Sequence, residues 1–217
     1  MMRSLLLFFI IIVAIYFINQ DNFVSTIDTV DMEGEFNFSD ENLVTERAKL
    51  FIGENIYNID LRHHKLEFEK IPWIKNSQIS INPPSTLTVK IIEHDPLFLW
   101  NEKIYVNNEM QSFVTPNLPI KNILRLASNH YSYEEMYELF QSVQSYLLDI
   151  NETIIALSKQ DDMLEIKSEN LTFIVRHSKY REKIREFVSI YPDFKSKLNN
   201  RKKIYIDLRY PTGFAVR

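Results

Sequence analysis

The sequence predicts an α+β chain: a single N-terminal transmembrane helix, a small three-stranded sheet with two helices, then a mixed or antiparallel sheet with flanking helices. Three observations predict it. Leu5 to Ile18 form an uninterrupted apolar run. The stretch that follows, to about residue 100, reads strand, helix, helix, strand, strand, which makes a small sheet with helices on one face. The chain ends with Ile204, Ile206, Leu208 and Tyr210 alternating with Tyr205, Asp207 and Arg209, the pattern of a strand with one buried face.

The apolar run is fourteen residues, about 21 Å as a helix, which is less than the ~30 Å hydrocarbon core of a bilayer. By length alone it also fits the core of a signal peptide or a buried helix. Met1, Met2 and Ser4, with Arg3 snorkelling to the headgroups, bring it towards spanning length. No small-x-small cleavage pattern follows Ala14. The reading adopted is an uncleaved anchor over residues 5–20 behind a cytoplasmic tail of residues 1–4, with a cleaved signal peptide as the alternative. Arg3 inside places the rest outside the cytoplasm.

Val30 and Met32 alternate with Thr29 and Asp31 as a first short strand, and Gly34 starts a turn. Ser39 is the expected N-cap of a helix striped by Leu43, Val44, Ala48, Leu50 and Phe51, with Gly53 at its C-cap. Asp60 caps a second helix carrying Leu61, His64, Phe68 and Ile71, which Pro72 ends. Ile79 and Ile81, then Leu87, Val89 and Ile91, mark two strands separated by a Pro83-Pro84-Ser85 turn. Further on, Tyr105-Val106 to Phe113 reads as a hairpin turning at Asn107-Asn108, and Pro116 and Pro119 mark a loop. Ser132 to Ile150 is the clearest helix, striped by Met136, Leu139, Phe140, Val143 and Leu147. Strands are expected at 154–157, 164–167 and 171–175, and a helix from Tyr180 to Tyr191 that stops before Pro192. Arg201-Lys202-Lys203 reads as a solvated turn before the last strand.

Composition narrows the function classes. With 217 residues, 45% of them apolar, the chain can form one or two compact domains. Its formal net charge of −4 supplies no basic face for nucleic acid. The absence of cysteine excludes disulfides, thiolate metal sites and a cysteine nucleophile. Gly34, Gly53 and Gly213, the three glycines, cannot assemble a phosphate loop. There is no Gly-x-Ser-x-Gly elbow and no His-x-x-x-His pair. His63 and His64 are adjacent, so a helix points them about 100° apart. Asp161, Asp162 and Glu165 read as a polar turn beside a hairpin. No catalytic group, metal site or cofactor is expected.

The run Ile71-Pro72-Trp73-Ile74-Lys75, then Pro84, Leu87-Thr88-Val89 and Glu93-His94-Asp95-Pro96, followed by the aromatic Trp100, resembles the POTRA domain of the bacterial FtsQ/DivIB cell-division family. Ile206-Asp207-Leu208-Arg209-Tyr210 with Gly213 and Ala215-Val216 is similar to that family's terminal β-domain signature. The resemblance covers essentially the whole chain and implies a POTRA domain over residues 24–100 and a β domain over 101–217. It departs at Asn107 and Met110, where the family often has Asp and Gly, and at His64, where an apolar residue is usual.

Membership implies a non-enzymatic, single-pass inner-membrane protein of the division septum. It would bind FtsB and FtsL outside the cytoplasm, link early and late division proteins and control septal peptidoglycan synthesis. In the family a segment of FtsB adds as a strand to the last strand of the β domain, which maps onto Leu208, Arg209, Tyr210, Thr212 and Gly213. The residues alone leave a second possibility open, that Arg209 merely pairs with Asp207 while Tyr210 packs in the core. The POTRA motif residues are Pro72, Trp73, Pro84, Leu87, Glu93 and Pro96. They also fit another POTRA-containing envelope assembly or secretion factor.

Overall fold

The computed structural model describes residues 2–18, 25–116, 120–196 and 203–217. Pro119, Arg201, Lys202 and the last two residues assigned to the anchor lie outside them. The chain divides into two compact units, Met1–His94 and Asp95–Arg217.

The first unit opens with α1 (Met2–Ile18), along which Phe8, Phe9, Ile10, Ile11 and Ile15 are exposed. Its seventeen residues rise about 25 Å. Among the described residues no helix is long and apolar enough to cross a membrane. Beyond it, β1 (Thr29–Glu33) pairs parallel with β3 (Thr86–Glu93), and β3 pairs antiparallel with β2 (Ile74–Asn82), giving the order β1-β3-β2. Helices α2 (Glu41–Lys49) and α3 (Leu61–Glu69) complete the unit. Val44, Ala48, Phe51 and Phe68 are buried with Ile27, Leu87, Val89 and Ile91 in one core. The alternation of β3 and the helical stripes therefore meet on one face, as their periods require.

Two caps differ from expectation. Asp40, not Ser39, caps α2, its carboxylate accepting the Asn42 N–H at 2.9 Å. Ser39 is occupied by Glu93, as described below. Gly53 lies beyond the helix, which ends at Lys49 with Leu50 as its C-cap. With φ +89 Gly53 closes a turn and donates its N–H to the Ile27 carbonyl at 2.8 Å, so its left-handed backbone serves a tertiary bond rather than a helix end.

In the second unit the strands are β4 (Pro96–Trp100), β5 (Ile104–Asn107), β6 (Ser112–Phe113), β7 (Leu124–Ser128), β8 (Ile154–Gln160), β9 (Met163–Ser168), β10 (Leu171–Arg176), β11 (Ile204–Asp207) and β12 (Ala215–Val216). They form one mixed sheet in the order β12-β11-β10-β9-β8-β7-β4-β5-β6. Helices α4 (Tyr133–Leu147) and α5 (Tyr180–Ser196) share one core with the inward alternates of the strands, including Leu164, Ile166, Phe173, Val175 and Ile206. The stretch Pro96–Trp100, placed above with the smaller domain, pairs with β5 and β7 and so is a strand of the larger sheet.

Helix α4 starts at a complete capping box. The Ser132 hydroxyl accepts the Glu135 N–H, and the Glu135 carboxylate accepts the Ser132 N–H at 2.8 Å. Helix α5 runs through Pro192 instead of stopping before it. An internal proline costs about 3 kcal/mol, but Phe194, two residues on, stacks edge-on against Phe187 and Phe214. That burial explains the extra turn. At the β5–β6 hairpin Met110 adopts φ +59 where a glycine would be unstrained. The Asn107 side-chain carbonyl accepts the N–H groups of Glu109 and Gln111 there and holds the turn.

Candidate functional site: the terminal hairpin

The alternation from Ile204 predicts one strand to Tyr210, but β11 stops at Asp207 and the chain then folds back on itself. β11 lies parallel to β10, and Leu208, which is buried, extends that ladder by donating its N–H to the Ile174 carbonyl at 2.8 Å. β12 returns antiparallel, pairing Ile206 with Val216 and Asp207 with Ala215. Tyr205 and Arg217 exchange both backbone bonds, at 3.1 and 2.9 Å. In an antiparallel ladder bonded and non-bonded pairs alternate. The Val216 backbone groups therefore point away from β11, at the outer edge of the nine-stranded sheet among the described residues.

Four contacts hold the loop between the strands. Arg209 clasps the Asp207 carboxylate through Nε at 2.8 Å and a terminal nitrogen at 2.5 Å, while its backbone N–H donates to the same carboxylate. The Arg209 hydrogen bonds hold the Asp207 carboxyl below the usual carboxylate range, against a burial that would raise it. Lys183, buried on α5, donates from Nζ to the Pro211 carbonyl at 2.9 Å. Phe214 seats edge-on against Phe187 at 5.4 Å between ring centres. Gly213 has φ +74, a conformation that side chains resist. Thr212 is exposed, and Tyr210 keeps 49% of its surface in solvent instead of packing in the core.

Beside the loop lies a cleft of about 310 Å³, lined by Arg176 from the end of β10, Lys179 from the turn before α5, Lys183 from the start of α5, and Leu208, Arg209 and Tyr210. Four cationic side chains line it, each also paired with a carboxylate: Arg176 with Asp162, Lys179 with Glu182, Lys183 with Glu186 and Arg209 with Asp207. Arg176, Lys179 and Lys183 were not singled out by sequence. Only the parallel pairing of β10 with β11 brings them to the terminal loop, and no local pattern announces that pairing.

The motif residues of the smaller unit have structural roles. Glu93 ends β3 and accepts the backbone N–H groups of Asn37, Phe38 and Ser39 at 2.8, 3.1 and 2.7 Å, together with the Ser39 hydroxyl. One carboxylate thereby fixes the turn that launches α2. Trp73, buried before β2, stacks on Phe38 at 4.7 Å, and Pro72 precedes it in the turn after α3. Pro84 forms the β2–β3 turn through a cis bond to Pro83, and Leu87 is fully buried. Pro96 is the first residue of β4. Trp73 and Glu93 thus assemble around the 37–39 turn, and Leu87 lies on the β3 core face.

Residues 25–94 match the family of FtsQ-type POTRA domains. Across 195 residues the chain is 28% identical to cell division protein FtsQ of Cellvibrio japonicus, a match covering 87% of this chain and 60% of that protein. FtsQ of Bordetella pertussis is 26% identical over 76% of this chain and 67% of its own length. For FtsQ of Aliivibrio fischeri the identity is 24%, over 92% of this chain and 70% of the relative. The chain is thus similar to FtsQ proteins over most of its length, and residues 25–94 form an FtsQ-type POTRA domain. It spans about three fifths of the first of these relatives. The FtsQ-type POTRA match stops at His94, one residue after the carboxylate that organises the α2 turn. The terminal hairpin lies in the larger unit, outside that match.

Proposed function

We propose that this chain is a non-enzymatic division protein of the inner membrane, with its N-terminus cytoplasmic and its bulk outside the cytoplasm at the septum. It binds FtsB and FtsL, links early and late division proteins and controls septal peptidoglycan synthesis. The apolar, exposed surface of α1 supports the membrane part, since such a helix needs an apolar surrounding. A span a few ångströms short of the core is accommodated by local thinning and snorkelling.

The observation that carries the binding reading is the open edge of β12. Val216 presents its backbone N–H and C=O there, with exposed Tyr210 and a cleft lined by paired cations alongside. A segment of FtsB would add as a tenth strand, gaining specificity from Tyr210 and from an acidic residue placed towards Arg176 and Arg209. Leu208, buried in the β10 ladder, and Gly213, set by its backbone, shape the loop, while Arg209, Tyr210 and Thr212 are its accessible members.

Val216→Pro removes an outward-pointing N–H that β11 does not use, and Tyr210→Ala removes an exposed ring. Each is expected to weaken FtsB binding about tenfold or more, equivalent to roughly 1.4 kcal/mol; the melting of the larger unit should stay unchanged in Tyr210→Ala, whereas Val216 also packs against the core and its loss lowers stability. Titration of the detergent-solubilised chain with FtsB checks this, and unaltered affinity in both variants sinks the edge-docking reading. Arg209→Glu is a poorer test, because it sets a second carboxylate beside buried Asp207 and perturbs the loop itself.

A further inference from the structure

The segment Leu50–Tyr57, between α2 and α3, is bound to the chain at the point where residues 25–27 emerge from the N-terminal side. Gly53 donates to the Ile27 carbonyl, Ile27 to the Glu54 carbonyl and Ile56 to the Ser25 carbonyl, at 2.8, 2.9 and 3.1 Å, and Thr26 bridges antiparallel to Asn55. Within this segment Phe51 is buried in the core at 1% exposure, while Leu50, Ile52 and Tyr57 are exposed at 72, 51 and 76%. Three large apolar side chains in eight residues, on a loop locked by backbone bonds, are not explained by the folding of this unit.

Chain length says what lies near them. Seven peptide steps separate Ile18, the last residue of α1, from Ser25, a reach of at most about 25 Å. The loop is therefore tethered within that distance of the end of the apolar helix. A helix of seventeen residues is also shorter than the hydrocarbon core, which draws whatever follows it towards the bilayer surface. We propose that Leu50, Ile52 and Tyr57 form a lipid-contacting face that seats the smaller unit on the outer surface of the membrane in which α1 is held. The inference rests on the reading of α1 as a membrane anchor. The aliphatic pair enters the headgroup boundary, and Tyr57 lies at headgroup level with its hydroxyl in water. The orientation of the FtsQ-type POTRA domain is then fixed by a surface and not by its tether alone.

The chain has no cysteine, so single sites can be labelled uniquely. Ile52→Cys and Tyr57→Cys, each carrying an environment-sensitive fluorophore, are reconstituted as full chains in phosphatidylethanolamine–phosphatidylglycerol vesicles with shallow or deep nitroxide lipids. Ile11→Cys on α1 and Glu35→Cys, an exposed site beyond the far end of β1, are the references. Shallow lipids are expected to quench labels 52 and 57 at least twofold more than label 35, while deep lipids quench label 11. Adding Leu50→Ser to the Tyr57→Cys chain should lower its quenching about twofold, which proximity alone would not do. Deep quenching at 11 with labels 52 and 57 no better quenched than 35 overturns the lipid face and leaves the anchor standing, and marks the patch as a protein contact. Absence of quenching at 11 overturns both. Quenching at 57 that ignores the Leu50→Ser change also overturns it, because the face would then be near the membrane without binding it.

Discussion

Removing the Glu93 carboxylate is expected to release the turn that launches α2. In Glu93→Ala three backbone N–H groups and the Ser39 hydroxyl lose their common acceptor. Hydrogen bonds to a charged group contribute about 1.5–3 kcal/mol each. The Asn37 N–H is exposed and water replaces the carboxylate there, whereas those of Phe38 and Ser39 are partly buried. Counting mainly the buried pair and allowing for relaxation gives a loss of about 2–4 kcal/mol. For a domain of this size each kcal/mol moves the midpoint by about 4–8 °C, so the transition should fall by roughly 10–25 °C.

The two tryptophans make the assay specific, because Trp73 lies in the smaller unit and Trp100 in the larger. In a Trp100→Phe background, fluorescence reports on Trp73 alone, which stacks on Phe38 inside the affected turn. Glu93→Gln keeps one acceptor oxygen and should fall between the two. Amide exchange at Phe38 and Ser39 should accelerate in the alanine variant. A Trp73 midpoint within about 2 °C of the parent, with protection at those amides retained, would refute the reasoning.

Two further outcomes are expected. Gly34→Ala should destabilise the smaller unit by about 2 kcal/mol or more, since its φ of +141 resists a side chain. An added Cβ would also fall 2.6 Å from the Ile91 carbonyl oxygen; an unchanged Trp73 melting curve would contradict this. His177 should make the larger unit less stable in mild acid. Its pKa is lowered by burial between the Tyr131 and Tyr180 rings and by the Lys159 and Arg181 charges, which outweigh Asp162. The unfolded chain then takes up its proton first, so the stability is present above the unfolded value of about 6.5 and falls as pH drops below it. The slope from this one proton is at most about 1.4 kcal/mol per pH unit. Melting of the parent and of His177→Gln at pH 7.5 and 5.5 checks it, the prediction failing if the variant retains the full pH dependence.

Much of the fold was legible because local pattern and burial coincide. β3 alternates Leu87, Val89 and Ile91 into the core, and α4 carries both a stripe and a capping box. What was not legible depends on distant partners. Ser39 has the chemistry of an N-cap, yet a carboxylate 54 positions away takes it. Pro192 carries a helix-ending signal that is overridden by an aromatic contact between Phe194 and Phe214, just before a strand the periodicity did not separate from β11. The terminal alternation was real for Ile204 and Ile206 but continued past the strand's end, because Leu208 remains buried in loop geometry. The residues assigned to docking fall in the loop after β11, and the sequence did not show that β12 folds back onto the β11 edge. The motif gave Glu93 and Trp73 without revealing that both serve the 37–39 turn.

The hairpin changes what docking on this chain would demand. A bare β11 edge would have to order a partner strand and its own terminal residues at once. Here the loop is fixed beforehand: Leu208 is in the β10 ladder, Arg209 is clasped by Asp207, Pro211 is held by Lys183 and Phe214 is seated on α5. Under the proposed mode of binding, the conformational cost falls mainly on the incoming segment, which preorganisation of one side reduces. β12 is only two residues long, so few main-chain bonds are on offer and side chains must supply the rest. Tyr210 and the cleft lined by paired cations stand where such contacts would be made. A weakly acidic segment lacking an aromatic-binding surface should then bind poorly even if it forms every backbone bond. In that mode of binding, affinity on this edge would be set by the loop more than by the strand.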